Sequence, residues 1–550
     1  MPRLTSCLKL AGLALLSLAL ALSVNGFASS AEVVARHADD ATLVVAWSGD
    51  LNSMDPPDSL VEWNREVVLN TYETLLQYKF DKKTDGTLVW EGLQVAPGLA
   101  ERWTVDGASV TFELRKGVKF YPSGNELTAD DVKYSWTRMT NVPGFGKFNA
   151  NLAGLFDGEK QIQALSRYTV KITFTDAKGN AKLFPSSLPS LRFPQFAILD
   201  SAVVKSKATA DDPWAAKFLR ENVVGTGPYY VESRTPGEQT TLQMVPFYWG
   251  KKPAFKRVIL RVIKDPADIV ALMRRGEVDV TTALGTHELT SLQQAGFKIF
   301  HGSVPNIVKF EFALDKAPLD NRDVRQAVAY TMPYNSIIKN VYGGLAERAF
   351  SYVNPGSPGY TPAFKAYSED LTRAKELLQR TNTASGFQVD VFYDSGVSSF
   401  EDLALLVQDQ LRKLNIVANL KPLPTTQMGA QRTARVRGQS TLEGLILSQG
   451  VIWLDDPDPN TDVWIKSGGV SNASRYKNTT VDELQDTFRF SSDAKARARA
   501  YEKVQGIVAV DVPLIPVVVT GRNAAVHPRI SGVSFTADPH NRFWTMYLVK

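Results

Sequence analysis

Residues 450 to 464 read GVIWLDDPDPNTDVW. Asp455, Asp456, Asp458 and Asp462 lie between Trp453 and Trp464, and Pro457 and Pro459 stiffen the middle. A carboxylate beside an indole is suited to an ammonium group. The carboxylate accepts charge-assisted hydrogen bonds, and the indole face adds a cation–π attraction of about 0.5–2 kcal/mol. Excluding water strengthens the pair, at a desolvation cost that good pairing must offset. The same string also suits a structural role, with aspartates capping a following helix and tryptophans packed in a core. Spacing alone leaves both readings open. Calcium is a third test. Asp456, Asp458, Asn460 and Asp462 match the start of an EF-hand loop, but Thr461 and Ser467 stand where that loop needs glycine and glutamate.

Catalytic chemistry finds little support elsewhere. The chain has no GxSxG elbow, HExxH pair or P-loop. Its five histidines, at 37, 287, 301, 527 and 540, never pair at ligand spacing, and no metal or cofactor is expected. RTARVR, with Arg432, Arg435 and Arg437, reads as a solvated helix face. No aromatics interleave it, which argues against nucleic acid.

The elements that must position the acidic string come from a long chain. Its 550 residues allow roughly three or four domains. With 44% hydrophobic and 22% charged residues the composition is that of a globular protein, and the net charge of +5 does not call for a polyanion. Arg3 and Lys9 precede the apolar run LAGLALLSLALALSV, and GFASSA follows with small residues. This predicts a secretory signal peptide over 1–30, cleaved after Ala28, Ser30 or Ala31. Its loss would lower the net charge to +3. The lone cysteine, Cys7, precedes the apolar run rather than following it, so neither a lipid anchor nor a disulfide is expected. No second apolar run is long enough for a membrane helix. Together these features predict a soluble protein exported to the periplasm.

Strand and helix signals alternate. TLVVAW (42–47), RVILRVIKD (257–265), VDVFYD (389–394) and VANLKPLP (417–424) read as strands, as does SVTFELRKGVKF, where Val110, Phe112 and Leu114 alternate with Thr111, Glu113 and Arg115. DPADIVALMRR, DNRDVRQAVAYTM, DLTRAKELLQR with Asp370 as N-cap, and FEDLALLVQDQLRKL read as helices. VNPGSPGYTP (353–362) reads as an irregular loop, and DVPLIPVVV (511–519) as a late extended segment. The order predicts an α/β fold.

Several stretches together resemble one family. LAERWTVDGASVTFELRKGVKFYPSGNELTADDVKYSWTRM (99–139), LNSMDP (51–56), VGTGPYYVESRTPGEQTTLQMVPFYWGKKP, PLDNRDVRQAVAYTM, WLDDPDP, YKNTTVDEL and DVPLIPVV are similar, in order, to the family 5 solute-binding proteins of bacterial ABC importers, the peptide, nickel and opine class. The resemblance implies an α/β protein of the periplasmic-binding-protein type II kind, with two hinged lobes and an additional domain. Domain I would comprise 31–66, 223–302 and 522–550, domain II 67–222, and domain III 303–521. A solute would be buried between the lobes by closure about the hinge.

In peptide-binding members an aspartate of the segment resembling WLDDPDP takes the ammonium. Asp455 fits that pattern, with Trp453 as an aromatic wall and Asp456 as the rival. Ser48 and Gly49, after the first strand, are candidates for backbone contact from the opposite lobe. DSGVSSFED carries no arginine where dipeptide binders hold the peptide carboxylate, which argues against a strict dipeptide site. The partners implied are a small solute, a peptide foremost, and the transmembrane subunits of an ABC permease, with the protein acting as a monomer. An oligosaccharide or opine is the alternative solute. A secreted hydrolase and a periplasmic chaperone are the alternatives of another class.

Overall fold

The computed structural model describes residues 41–59, 62–84, 86–451, 454–536 and 540–549. The expected leader over 1–30, His37 and Trp453 lie outside them. The chain opens on strand β1 (Thr42–Trp47) and helix α1 (Glu62–Thr71). It then builds a separate body that includes strand β2 (Leu88–Pro97) and helix α2 (Phe145–Ala153). It returns through β3 (Arg257–Val262) and β4 (Val280–Thr281). The long strand β5 (Lys298–Phe312) carries it onward to helix α3 (Thr425–Val436), strand β6 (Leu445–Val451), helix α4 (Pro457–Trp464) and helix α5 (Ala494–Asp511). Strand β7 (Leu514–Val526) brings it back.

One 11-stranded sheet runs through both ends of this path. Its order is Ile416–Leu423, Phe387–Asp394, β6, β5, β7, β4, β1, β3, Gln239–Met244 and Tyr229–Thr235, with Ala346–Arg348 also pairing β7. β1 is parallel to both neighbours, whereas β7 is antiparallel to β4 and β5. Thus β1, β3, β4 and β5 all point the same way. The first half of β5, Lys298–Gly302, pairs with Val526–Arg522. The second half, Asn306–Glu311, pairs with Thr520–Leu514, and the register shifts between them. These two strands are the sheet's link between a first core and a third.

Three large apolar cores form around this sheet. The first gathers Leu43, Val45 and Val67 with Leu260, Phe300, Val526 and Phe543. The second lies within 75–198, with Phe112, Trp136 and Phe196 at its centre, but it also takes in Leu454 from far along the chain. The third spans 307–518, where Val308, Phe310 and Phe312 of β5 face inward. The predicted strand over 42–47 forms as written, the alternation around Phe112 forms Ser109–Leu114, and the strand expected over 257–265 ends at Val262. Asp370 caps Leu371–Leu378 by accepting from the Arg373 amide at 2.9 Å.

The second core is bolted to the first by buried polar groups. Arg138 and Asp55 form a two-pronged ion pair at 2.8 and 2.6 Å, with almost no exposure on either side. Glu73 accepts from Tyr248, Trp249 and Thr226 at 2.7–2.9 Å. Burial still pushes its carboxyl up to about 7, because hydrogen bonds offset the desolvation only in part. Among the described residues no buried ion pair like Arg138–Asp55 ties the second core to the third.

Candidate functional site

The four aspartates of the acidic string have separate fates. Asp456 is fully buried and is the N-cap of α4, accepting from the Asp458 amide at 2.8 Å. Its carboxylate also meets Arg497 of α5 at 2.7 Å. Asp458 accepts from Tyr501 at 2.6 Å and Gln485 at 3.0 Å, and pairs with Arg489 at 3.1 Å. Asp462 shares that Arg489, also at 3.1 Å. The capping role therefore holds for Asp456, and Trp464 packs at 6% exposure against Gly450. Asn460 donates to the Tyr352 carbonyl at 3.2 Å. The carboxylates of the calcium-like pattern are thus turned toward arginines.

Asp455 differs. It is 8% exposed and makes no ion pair among the described residues. The Asn354 amide donates to its Oδ1. Two glycines make room for it from different elements. A Cβ at Gly92, in β2 of the second core, would come 3.4 Å from Asp455 Oδ2, and one at Gly356 would come 3.4 Å from its Cγ. Gly92 also needs its freedom for a φ of +49°. Burial pushes the Asp455 carboxyl up to about 6, against the pull of Asn354 and of Arg192 across the seam. Arg192 itself donates through Nε to the Pro189 carbonyl and through Nη1 to those of Gly92 and Gln94, at 2.7–3.1 Å. Asp455 is thus a buried carboxylate set where the third core meets the second, held by an amide and shielded from bulk water.

Sequence reasoning singled out Asp455 and Asp456 but missed Asn354, Gly92, Gly356 and Arg192. Asn354 and Gly356 belong to VNPGSPGYTP, where the only signal was irregularity. Arg192 and Gly92 are hundreds of residues away, and no local pattern marks them. Ser48 is exposed just beyond the carboxyl end of β1. Gly49 lies under Trp63, whose Nε1 would stand 2.4 Å from an added Cβ. Neither is brought against Asp455, but the carboxyl ends of β1 and β4 do point toward the third core. The reading of RTARVR is corrected. Arg435 is 2% exposed and pairs with Asp315, and Arg432 reaches Glu311 at 2.6 Å. Only Arg437 lies exposed. α3 packs against the sheet rather than standing free of it.

The fold is a mixed α/β one with several cores, and β5 and β7 carry one sheet from the first core to the third. The family model for bacterial extracellular solute-binding proteins, family 5 Middle, matches residues 94–472, and the chain belongs to that family. It is a family of binding proteins, not of enzymes. Among its relatives is the probable D,D-dipeptide-binding periplasmic protein DdpA of Escherichia coli K12, 28% identical over 500 residues, covering 90% of this chain and 91% of the relative. Heme-binding protein A of Haemophilus influenzae is 27% identical over 466 residues, covering 80% and 81%. The solved periplasmic binding protein DppA of Helicobacter pylori, in complex with the peptide STSA, superposes with a TM-score of 0.75 at 25% identity, covering 92% of this chain and 98% of that one. Among the described residues no helix is long and apolar enough to cross a membrane.

Proposed function

We propose that this protein captures a peptide or similar amine-bearing solute in the periplasm and delivers it to the transmembrane subunits of an ABC importer. In this reading Asp455 takes the solute's ammonium. One observation carries the assignment. Of four neighbouring aspartates, Asp456, Asp458 and Asp462 each pair with a guanidinium, and among the described residues Asp455 pairs with none. A buried carboxylate left without a cation is costly unless a partner arrives. The relatives support the solute class, since two of them are named for peptides or shown with one. Trp453 is proposed as the wall beside Asp455, and Ser48 and Gly49 as backbone contacts from the opposite side.

The first and second cores would move as one lobe, because Arg138–Asp55 and the Glu73 cluster bind them together. The third core would form the other lobe, with β5 and β7 as the hinge. A solute touching both lobes favours the closed form by its differential affinity. Phe184 and Phe490 meet edge to face across the seam at 4.6 Å, and Lys182 lies over the Phe490 ring at the same distance. Phe490→Ala is therefore expected to weaken solute capture roughly threefold to tenfold, in line with about 0.5–1.5 kcal/mol for such an aromatic pair. The melting temperature of solute-free protein should barely move. Calorimetry on parent and variant checks both halves.

Native mass spectrometry of freshly purified protein tests the class of solute. A co-purified mass that fragments as a peptide or other amine supports the reading. A retained neutral sugar, or no response to a peptide pool in thermal melts, would remove it.

A further inference from the structure

The seam between the second and third cores holds a cavity of about 570 Å³, within the range of small-molecule sites, roughly 300–1,000 Å³. Helix α2 forms one wall with Phe145, Phe148 and Leu152. The other wall comes from Trp464 at the end of α4 and Val470 beyond it. Phe145 and Phe148 stack at 5.5 Å, which gives that side a broad aromatic surface.

Gln449, Asn460 and Ser471 add neutral polar groups to the lining, and Arg432 is its one charged side chain. Arg432 of α3 donates through Nη1 to Glu311 Oε2 at 2.6 Å, and Ser448 donates to the same oxygen at 2.5 Å. That anchors the guanidinium by one corner. Its Nε and Nη2 have no partner among the described residues, and the side chain is 20% exposed. Behind Trp464 sits a second cation. Lys309 is fully buried, with Nζ 4.2 Å from the indole ring, 4.0 Å from Glu311 and without a hydrogen-bond partner among the described residues. Two cations thus share one carboxylate where the dielectric is low. Burial, with repulsion from Arg432, holds the Lys309 ammonium down to about 8 despite Glu311. The local excess of positive charge calls for an anion. The open Nε–Nη2 edge offers two parallel N–H groups, the geometry that a carboxylate accepts.

We infer that this cavity is a subsite for a bulky apolar group bearing a carboxylate, seated between α2 and Trp464 with its two oxygens on the open edge of Arg432. The inference extends the solute-capture reading, adding an acid pole to the amine pole at Asp455. A neutral apolar occupant would fill the walls but leave the Arg432 edge dry and unpaired. A small inorganic anion would pair the edge but leave the aromatic walls empty.

The test uses the full chain, stripped of co-purified solute, titrated calorimetrically with 3-phenylpropionate and with 3-phenylpropanamide. The acid is expected to bind saturably and about tenfold more tightly than the amide, the usual gain of a charge-assisted over a neutral hydrogen bond. Leu152→Trp fills the cavity from the α2 side without touching Glu311, and should abolish binding of both. Arg432→Gln should erase the discrimination between them. Circular dichroism and melting curves verify that each variant is folded. Equal binding of acid and amide to the parent, or acid binding that survives Leu152→Trp, overturns the inference. A parent that captures amines but ignores the acid sinks this subsite alone. A parent that takes the acid but no amine-bearing solute sinks the Asp455 assignment alone.

Discussion

Asp455→Asn should make the solute-free protein more stable at pH 7.5 while weakening capture of an amine-bearing solute by about 30-fold or more. Both effects have the same cause. The Asp455 carboxyl is raised from 3.8 to about 6 in the folded chain, chiefly by burial. An acid with a raised folded pKa opposes folding while it is ionised. That penalty is fully present above about pH 6, shrinks as pH falls through 6, and is gone below the unfolded value near 3.8. At neutral pH the shift corresponds to at most about 3 kcal/mol. Asparagine keeps an oxygen for the Asn354 amide but carries no charge, so it removes the penalty. It also removes the group that would neutralise an ammonium, and truncating one member of a buried charge pair costs about 2–5 kcal/mol of binding. Melting curves read the first effect and calorimetry the second. The parent's affinity should also fall as pH drops below about 6, where a proton competes for Asp455, and the variant's profile should be flat through that range. Unchanged affinity in the variant would remove Asp455 from recognition.

One residue further on, the expected outcome reverses. Asp456→Ala should destabilise the fold by about 3–5 kcal/mol, the usual result of stranding one member of a buried ion pair. Arg497, with its side chain 7% exposed, would lose the carboxylate it meets at 2.7 Å. The start of α4 would also lose the cap that accepts from the Asp458 amide, worth about 1 kcal/mol. Chemical denaturation measures the loss. Adding Arg497→Met to Asp456→Ala should recover much of it, because the uncompensated charge then disappears with its partner. If Asp456→Ala left stability untouched and removed capture instead, the roles of the two neighbours would be exchanged.

This contrast bears on how much the sequence disclosed. Periodicity located strands such as Thr42–Trp47 and helices such as Leu371–Leu378, because each element buries a face that its own residues declare. The same reasoning failed for Arg432. Along β5, Phe310 and Phe312 alternate with Lys309 and Glu311, a pattern that ordinarily means one face in the core and one in water. Here α3 and Trp464 cover the charged face, so both charges are buried and Arg432 turns inward to meet them. A single strand's alternation reports the polarity of its faces, not what later packs over them. Asn354, Gly92 and Arg192 were invisible for a related reason. They meet Asp455 only after segments far apart in the chain have docked, and nothing beside them in sequence anticipates the meeting. Nor does the local sequence set Asp455 apart from Asp456, because the Arg497 that pairs with Asp456 comes from α5, some forty residues on.

The long return of β7 bears on the order in which a nascent chain can be completed. The second core draws almost wholly on residues 75–198 and can consolidate early. The first core cannot: it needs Val526 and Phe543 beside Leu43 and Val45, and the Asn70 side chain donates to the Asn541 carbonyl at 2.8 Å. Until the ribosome has released nearly the last residue, the N-terminal segment lacks the partners that would lock it. A chain built this way leaves its first core open until its late residues arrive, however early the second core has formed.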